Sequence, residues 1–379
     1  MTARNHRDAL DRVVRTTVEP RAREVDDRGR FPRENVDALG RAGLLGLTLP
    51  TRHGGSGHGL GEAVEATTRV ARVCGSTAAV LATHYAATAV LARHARADLL
   101  RAIAAGEHLC ALALAEPGAR GLVPSGRAEA AGGVVALSAR KNWVTAAGEA
   151  DSYLWSSPPA GDRGGMSLWL VPAEAPGLCV PEAADAVGLR GSSTATIVAD
   201  PVRVPESAVL AGDGGGAQPL LEVILPWLCA LQAALALGLM EAVLARSIEC
   251  VTGPQPSWSR WQDPPSRRPE VRAELARMRT KVDTARLVLT DAVHHGRHGD
   301  GPERLLEARA LGGENAMRVA ELGIKVCGQY AFRADYGVER RFRDAHAATH
   351  GQLPTETAFD QLAKLTCRAP LLGGVDRDE

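Results

Sequence analysis

The sequence predicts an α+β protein with a helical N-terminal domain, a central β-barrel domain and a C-terminal four-helix bundle. Two changes of pattern along the 379 residues carry this prediction. Short β-rich runs replace helical spacing near residue 111, and helical spacing returns after residue 212. An apolar share of 45% and a charged share of 23% are ordinary for a globular chain. We therefore expect domains at 1–110, 111–212 and 213–379.

The first domain is predicted to be helical throughout. Val36 and Leu39 recur at helical spacing, and another helix begins near Asp98. Glycine-rich breaks at 54–57 and 74–77 separate the elements. In the second domain, five short runs of strand-forming residues alternate with Pro and Gly turns. These runs are 133–137, 142–145, 153–156, 167–171 and 194–198. Short strands at this spacing indicate a small barrel or sandwich.

The third domain shows apolar stripes that are typical of an antiparallel bundle. The first stripe steps alternately by four and three residues through Val271, Leu275, Met278, Val282, Ala285, Leu289 and Ala292. The second runs through Leu311, Asn315, Val319, Leu322 and Val326. Between the bundle helices, 254–269 is rich in Pro, Arg and Trp and is predicted to be an irregular loop.

Charge and composition exclude several classes of function. Lys plus Arg and Asp plus Glu both count 44, which argues against binding to nucleic acid or to an anionic membrane surface. The apolar stretch 223–240 contains Pro226 and is better explained as a buried core helix than as a membrane span. The charged first 15 residues do not form a secretory signal. Seven isolated cysteines, without metal-site spacing, favour reduced thiols in the cytoplasm and no metal.

Several short strings occur in an order that resembles the acyl-CoA dehydrogenase superfamily. The central domain opens with Ala115-Glu116-Pro117-Gly118-Ala119, which is similar to the family's "TEPGAGSD". Other similar strings are 39–47 with the Gly54-Gly55 turn, Lys141-Asn142-Trp143-Val144-Thr145, 188–194, 202–205 and 339–345. Each string alone is weak, but the ordered set covers nearly the whole chain.

The resemblance implies an FAD-dependent enzyme, a homodimer or homotetramer, that acts on an acyl thioester of CoA or of an acyl carrier protein. In the family a glutamate removes the α-proton and the flavin takes the β-hydride. Trp143 would stack on the flavin and Thr145, on the same side of a strand, would reach its reactive edge. The backbone at Leu114 and Ala115 would bind the flavin's pyrimidine carbonyls. Gly328 and Gln329 correspond to a loop that approaches the cofactor of a neighbouring subunit.

Each of these residues also has an ordinary structural explanation. A Trp in a β-run is more often a core residue, and a Gly such as Gly328 is a common helix C-cap. We expect Arg190 to tether a loop and do not assign it to a ligand.

The chain departs from the family at the position of the catalytic base. The family's usual glutamate lies nine residues after the Arg of "RDA", and Gln352 stands there, counting from Arg343. An amide cannot accept an α-proton at neutral pH. The remaining candidates are the carboxylate of Glu356 and the imidazole of His350. Their alternatives are a solvent-facing glutamate at a helix start and an ordinary loop histidine.

A second departure concerns the cofactor. The family's "R-x-Q-F-G" string, which binds the FAD pyrophosphate, is absent from 250–265. Arg120, Arg260, Arg267 or Arg268 could compensate, or each could be a solvated surface charge. The segment from Pro354 to Leu371 resembles a branch of the superfamily in bacterial specialised metabolism, which includes acyl groups on carrier proteins.

Three functions follow from the residues and the resemblance. The first is an FAD-dependent α,β-dehydrogenase of an acyl thioester. The second is a flavin-dependent monooxygenase on the same fold that hydroxylates nitrogen or carbon, since this chemistry needs no α-proton base. The third is a relative that binds an acyl chain or a partner protein without redox chemistry and has lost FAD.

Overall fold

A computed structural model describes residues 3–117, 123–161, 164–181, 185–253, 264–295 and 301–369. Arg120, Arg260 and most of the predicted loop at 254–269 lie outside the described residues. The part of that loop that is described contains one 3-10 turn at Pro265–Arg267.

The N-terminal domain consists of helices, as predicted, and contributes one wall of the later site. Its helices are α1 (Ala3–Val13), α2 (Glu19–Arg28), α3 (Arg33–Arg41), α4 (Leu60–Ala71), α5 (Gly75–His94) and α6 (Ala97–Ala105). Helix α5 is the central one, because almost all of its residues from Gly75 to Leu91 are buried. A π-turn at Val14–Val18 joins α1 to α2.

The described residues of the central domain form eight strands that pair as two four-stranded sheets. They are β1 (Cys110–Ala113), β2 (Arg127–Ala131), β3 (Val134–Val144), β4 (Ser152–Ser157), β5 (Ser167–Pro172), β6 (Leu178–Cys179), β7 (Ala195–Pro205) and β8 (Val209–Leu210). One sheet has the order β1-β4-β5-β8 and the other β2-β3-β7-β6. The backbone N–H of Asn142 donates to Ala115 O at 2.8 Å and links the two sheets at one end. The domain is therefore two joined sheets rather than one continuously paired barrel.

The described residues of the C-terminal domain form a bundle of three long helices, with two shorter helices packed against them and a single short helical turn before them. Its helices are α7 (Ala217–Pro219), α8 (Leu225–Thr252), α9 (Pro269–His295), α10 (Gly301–Cys327), α11 (Val338–Ala347) and α12 (Thr355–Thr366). The stripe on α9 is buried from Met278 to Ala292, and its first two members are partly buried. The change from helices to strands falls between α6 and β1, and the return to helices between β8 and α7; the boundaries at 110 and 212 stay predictions.

Helix α8 is the apolar stretch that could be mistaken for a membrane span. The segment Ala217–Thr252 is long and apolar enough to cross a bilayer, but 83% of its most apolar window is buried inside the protein. It packs against α4, α5, α9, α10 and α11. A helix that is apolar all round is suited to this central position. The prediction of a core helix is confirmed.

Candidate active site

A cavity of about 650 Å³ lies where the central domain meets α5, α8, α11 and the segment after α11. One wall comes from residues spaced three or four apart on two helices, which face the same side. These are Ala79, Ala82 and Thr83 on α5 and Leu228, Gln232 and Leu235 on α8. The opposite wall contains Trp143, Thr145 and the 185–194 segment, and the 342–352 segment completes the cavity.

Trp143 lies on this cavity in an unusual backbone conformation. Its φ is +57°, in the left-handed region that a bulky residue rarely adopts. The cause is an irregularity of the pairing between β3 and β7, where the register shifts between Lys141 and Val144. The side chain is 55% exposed, although its neighbours Lys141 and Val144 are buried. Backbone strain of this kind is often retained at functional sites. The core explanation for this Trp is therefore wrong.

Thr145 lines the same cavity, but not for the reason that the sequence suggested. Strand β3 ends at Val144, so Thr145 and Trp143 are not neighbours on one face of a regular strand. The bulge and the following turn bring both side chains to the cavity. The Thr145 hydroxyl lies 3.2 Å from that of Thr194, which lies 2.8 Å from that of Ser192. Neither Ser192 nor Thr194 was predicted as a site residue, because hydroxyls in a loop have no distinctive spacing.

The loop that carries Ser192 is anchored by the start of α5 and by α11. The Leu189 N–H donates to Asp344 Oδ1 at 2.6 Å, and the Gly191 N–H donates to Ser76 Oγ at 3.1 Å. Gly75 allows this approach, because a Cβ there would lie 2.8 Å from the Leu189 side chain and 2.9 Å from Asp344 Oδ2. The tether that we expected of Arg190 is thus mainly made by Asp344.

Arg343, next to Asp344, joins the first and last domains. Its guanidinium donates to both carboxylate oxygens of Asp26 on α2, at 3.0 and 2.5 Å, and to Val187 O at 2.7 Å. Arg190 itself pairs with the 95% exposed side chain of Asp185 at 3.9 Å.

Replacing Asp344 by asparagine is expected to change how stability depends on pH. Burial raises the pKa of Asp344 to about 6, although the Leu189 N–H, Arg340 and Arg343 oppose this and Asp26 adds to it. A carboxyl group whose pKa is higher in the folded than in the unfolded state stabilises the folded state fully at pH values below the pKa of the unfolded state. That contribution is lost as pH rises from about 4 through 6, by on the order of 3 kcal/mol. Urea unfolding at several pH values should show wild type losing stability relative to Asp344→Asn over this window. If the free energies of unfolding of the two proteins change in parallel with pH, the raised pKa of Asp344 is contradicted.

Gln352 is buried in the cavity wall and cannot be a base. Its Nε2 donates to Leu112 O at 2.7 Å, and its Oε1 has no hydrogen-bond partner among the described residues. The carbonyl of Leu112 can only accept, so the orientation of the amide is settled. The carboxylate of Glu356 lies exposed in the first turn of α12 and is not among the residues that line the cavity. Its assignment as a base stays a prediction.

Two histidines line the cavity at successive turns of the chain. His350 was predicted, and His346 was missed because a helical His beside Phe342 has no sequence signal. The Nδ1 of His346 lies 2.9 Å from Phe342 O, and that of His350 lies 3.2 Å from His346 O. Carbonyls only accept, so both Nδ1 atoms carry the hydrogen and both Nε2 atoms keep a lone pair. Among the described cavity residues, the one carboxylate is the exposed Asp185.

Leu114 and Ala115 lie beside a buried ion pair. The Leu114 carbonyl accepts from Ser156 Oγ at 3.2 Å and from Lys141 Nζ at 3.5 Å. The fully buried Lys141 pairs with the carboxylate of Glu116, which also accepts from the Ser125 N–H and hydroxyl at 2.7 Å each. Burial lowers the pKa of Lys141 to about 8, opposed by Glu116. This network holds the Leu114 carbonyl and the Glu116 carboxylate beside the predicted flavin contact; the contact itself stays a prediction.

Gly328 and Gln329 lie exposed after α10, outside the cavity of their own chain. Gly328 has a φ of +55° and begins a 3-10 turn, so it has the conformation of a helix C-cap glycine. The prediction that this loop reaches the cofactor of another subunit is not tested by a single chain. Arg267 and Arg268, suggested for the pyrophosphate, also lie outside the cavity lining.

The sequence and fold match known proteins along nearly the whole chain. Family models for the N-terminal, middle and C-terminal domains of acyl-CoA dehydrogenase match residues 2–107, 111–202 and 223–365. A probable acyl-CoA dehydrogenase, YngJ of Bacillus subtilis, is 27% identical over 365 residues, which cover 92% of this chain and 94% of the relative. The chain therefore belongs to the acyl-CoA dehydrogenase family.

Two solved structures illustrate the likeness of the fold. Butyryl-CoA dehydrogenase of Megasphaera elsdenii superposes with a TM-score of 0.87 at 22% identity, covering 97% of this chain and 99% of that one. FkbI, described for biosynthesis of the methoxymalonyl extender unit of Fk520, superposes with a TM-score of 0.84 at 26% identity, covering 95% and 99%. The predicted family and fold are confirmed.

The family consists of flavoproteins for which FAD is typical, so the predicted cofactor is confirmed. The cavity of this chain fits a flavin. The strained backbone at Trp143 presents an exposed indole face to it, and hydroxyls of Thr145, Thr194 and Ser192 follow along the same wall. An indole face is suited to stacking on a flat ring, and the hydroxyls can bind polar ring atoms.

Replacing Trp143 by alanine is expected to weaken FAD binding by roughly tenfold or more. An aromatic face stacked on a planar ring contributes about 1–3 kcal/mol. Trp143→Phe should keep most of the affinity, because a smaller face remains. Titration of FAD into apoprotein, followed by quenching of flavin fluorescence, measures both. Equal affinity in all three proteins would remove Trp143 from the flavin site, and no uptake of FAD by wild type would favour the non-redox function.

Proposed function

We propose that this protein is an FAD-dependent α,β-dehydrogenase of an acyl thioester in which the imidazole of His350 replaces the carboxylate base of the family. The observation that carries the proposal is the pair of histidines with free Nε2 atoms in a flavin-fitting cavity whose one described carboxylate is exposed. Bound FAD supplies the two-electron acceptor, which takes the β-hydrogen as a hydride. His350 Nε2 takes the α-proton: the Cα–H bond breaks, an N–H bond forms, and the Cα electron pair enters the new C=C bond.

The choice of His350 over His346 rests on what surrounds each ring. The His346 ring packs on Phe342 with centroids 4.2 Å apart, which covers one of its faces. His350 is exposed, and its Nδ1 lies 2.7 Å from Thr349 Oγ1. The Thr349 hydroxyl donates to His346 O at 2.6 Å, so its oxygen accepts from His350 Nδ1. These bonds hold the tautomer with a basic Nε2, as a general base requires.

Specialised metabolism and a CoA-bound or carrier-bound acyl group are part of the proposal. Support comes from FkbI, which is described for biosynthesis of a polyketide extender unit. We also propose a cytoplasmic homodimer or homotetramer. The exposed loop with Gly328, Gln329 and the 73% exposed Phe332 provides a surface for this contact.

The test is anaerobic reduction of the FAD-loaded protein by a panel of acyl-CoA and acyl-carrier thioesters. Bleaching of the flavin absorbance by at least one thioester, with formation of the unsaturated product, is the expected result. If no thioester of the panel bleaches the flavin, dehydrogenation is contradicted.

A monooxygenase is a second candidate, favoured by Gln352. The amide at the position of the family's base, together with the lack of a buried carboxylate among the described cavity residues, suits chemistry without α-proton abstraction. In this case only NAD(P)H with a partner reductase should bleach the flavin. Admission of air should then give a hydroxylated product. Bleaching by a thioester alone would decide against this candidate.

A further inference from the structure

A buried arginine without an acidic partner lies behind the cavity wall. Arg309 on α10 is fully buried, and none of its hydrogen-bond partners among the described residues is a carboxylate. Its donors are used by neutral oxygens, including Leu353 O at 2.8 Å and Thr355 Oγ1 at 3.0 Å. Burial lowers its pKa to about 10, so the guanidinium is still charged at neutral pH. A positive charge therefore remains without a compensating acid in this part of the protein.

Gln232 on α8 connects this charge to the cavity. Its Oε1 accepts from Arg309 Nε at 2.7 Å, so the amide orientation is settled and Nε2 is the other end. Nε2 lies beside Gly351, 3.2 Å from where a Cβ of that glycine would be, and both residues line the cavity. No acceptor among the described residues receives a hydrogen bond from Nε2. In Gln352, by contrast, the amide nitrogen is bound to Leu112 O.

Most of the side chains that share the cavity wall with this amide nitrogen are apolar. Leu228 and Leu235 flank Gln232 on the same face of α8, and Ala79 and Ala82 of α5 lie on the same wall. Gln232 is partly buried, so a ligand that fills the cavity and displaces solvent from Nε2 must supply an acceptor in its place. A neighbouring cation polarises the amide and strengthens its N–H groups as donors. The complementary group on a ligand is an oxygen atom that accepts a hydrogen bond.

We propose that Gln232 is a specificity-determining residue whose Nε2 donates to an oxygen on the acyl chain of the substrate. The substrate class is then an acyl thioester that carries a second oxygen function, a hydroxyl or a carboxylate, in addition to the thioester carbonyl. This inference rests on the proposed function, because it assumes that the cavity holds the acyl group.

Binding to the FAD-loaded protein tests the inference independently of turnover. Three four-carbon probes are compared by their perturbation of the flavin spectrum without air: butanoyl-CoA, 3-hydroxybutanoyl-CoA and succinyl-CoA. Wild type is expected to bind an oxygenated probe about tenfold more tightly than butanoyl-CoA. Gln232→Met removes the donor and should reduce this preference to less than about twofold. Gln218→Met, the same change at an exposed site on α7, is the control and should keep it.

A second variant keeps the experiment decisive if Gln232→Met folds poorly. Gln232→Glu retains the length and the acceptor for Arg309 but presents an oxygen where the amino group was. It should bind succinyl-CoA at least about tenfold more weakly than wild type does, because two carboxylates would meet. Equal binding of the three probes by wild type would overturn the inference alone. If none of the three binds, the proposed function fails as well.

Discussion

Replacing Lys141 by methionine is expected to lower the free energy of unfolding by about 3–5 kcal/mol. The ammonium is fully buried against Glu116, whose side chain is only 3% exposed. Removing one partner of a buried ion pair leaves the other charge without compensation, which is costly in a low-dielectric interior. Burial alone would raise the pKa of Glu116, but Lys141 outweighs this and holds the pKa below its ordinary value. Urea unfolding followed by circular dichroism measures the loss.

The double variant Lys141→Met/Glu116→Gln is the matched control for that prediction. It removes both charges, so it should recover more than half of the lost stability. Flavin affinity gives a second readout, since Glu116 directly follows the predicted flavin contact at Leu114 and Ala115. If the free energy of unfolding of Lys141→Met lies within about 1 kcal/mol of the wild-type value, then leaving Glu116 without its partner is not costly and the prediction is wrong.

Replacing His350 by glutamine is expected to slow flavin reduction by an acyl thioester about 10²–10⁴-fold. General base catalysis contributes roughly this factor, and glutamine has no group that accepts a proton at neutral pH. FAD affinity should be unchanged, because His350 is proposed to take the α-proton of the substrate and not to bind the flavin. Stopped-flow measurement of flavin bleaching under anaerobic conditions gives the rate.

Three further substitutions make the assignment specific. His94→Gln makes the same change at an exposed end of α5 and should reduce flavin at the wild-type rate. His346→Gln tests the other imidazole of the cavity, and Glu356→Gln tests the carboxylate candidate. A large loss in either of these, with a normal rate in His350→Gln, would move the base to that residue.

The sequence was sufficient for the fold because periodic patterns there agree with the final packing. The stripe on α9 is buried through Met278, Val282 and Ala285. In the central domain the predicted runs overlap β3, β4, β5 and β7, with 133–137 and 142–145 both falling on β3, whereas β1, β2, β6 and β8 were not predicted. Trp143 and Thr145 were also brought to one cavity as expected. They were predicted to share one face of a regular strand, whereas a β-bulge with positive φ at Trp143 brings them together. The sequence does not reveal this bulge, because a tryptophan and not a glycine occupies the position of positive φ.

The remaining site residues depend on tertiary contacts that a sequence does not display. Arg309 lies on α10 off the apolar stripe, where an arginine normally indicates a solvated face. Its burial follows from the carbonyls of the 348–353 segment, about 40 residues further along the chain. Gln232 lies within an apolar helix and can be assigned a direction only once Arg309 is placed. His346 becomes a candidate only when α11 is seen to border the cavity.

The contact between Gly75 and Asp344 has a consequence for protein engineering. Any side chain at position 75 would displace both the carboxylate that holds Leu189 and Leu189 itself, so the first, middle and last domains meet at a point without spare volume. The Asp26–Arg343 pair adds a second junction of the same kind. Chimeras that exchange the N-terminal helices with those of a relative should therefore succeed only when positions 26, 75, 189, 343 and 344 are transplanted as a set.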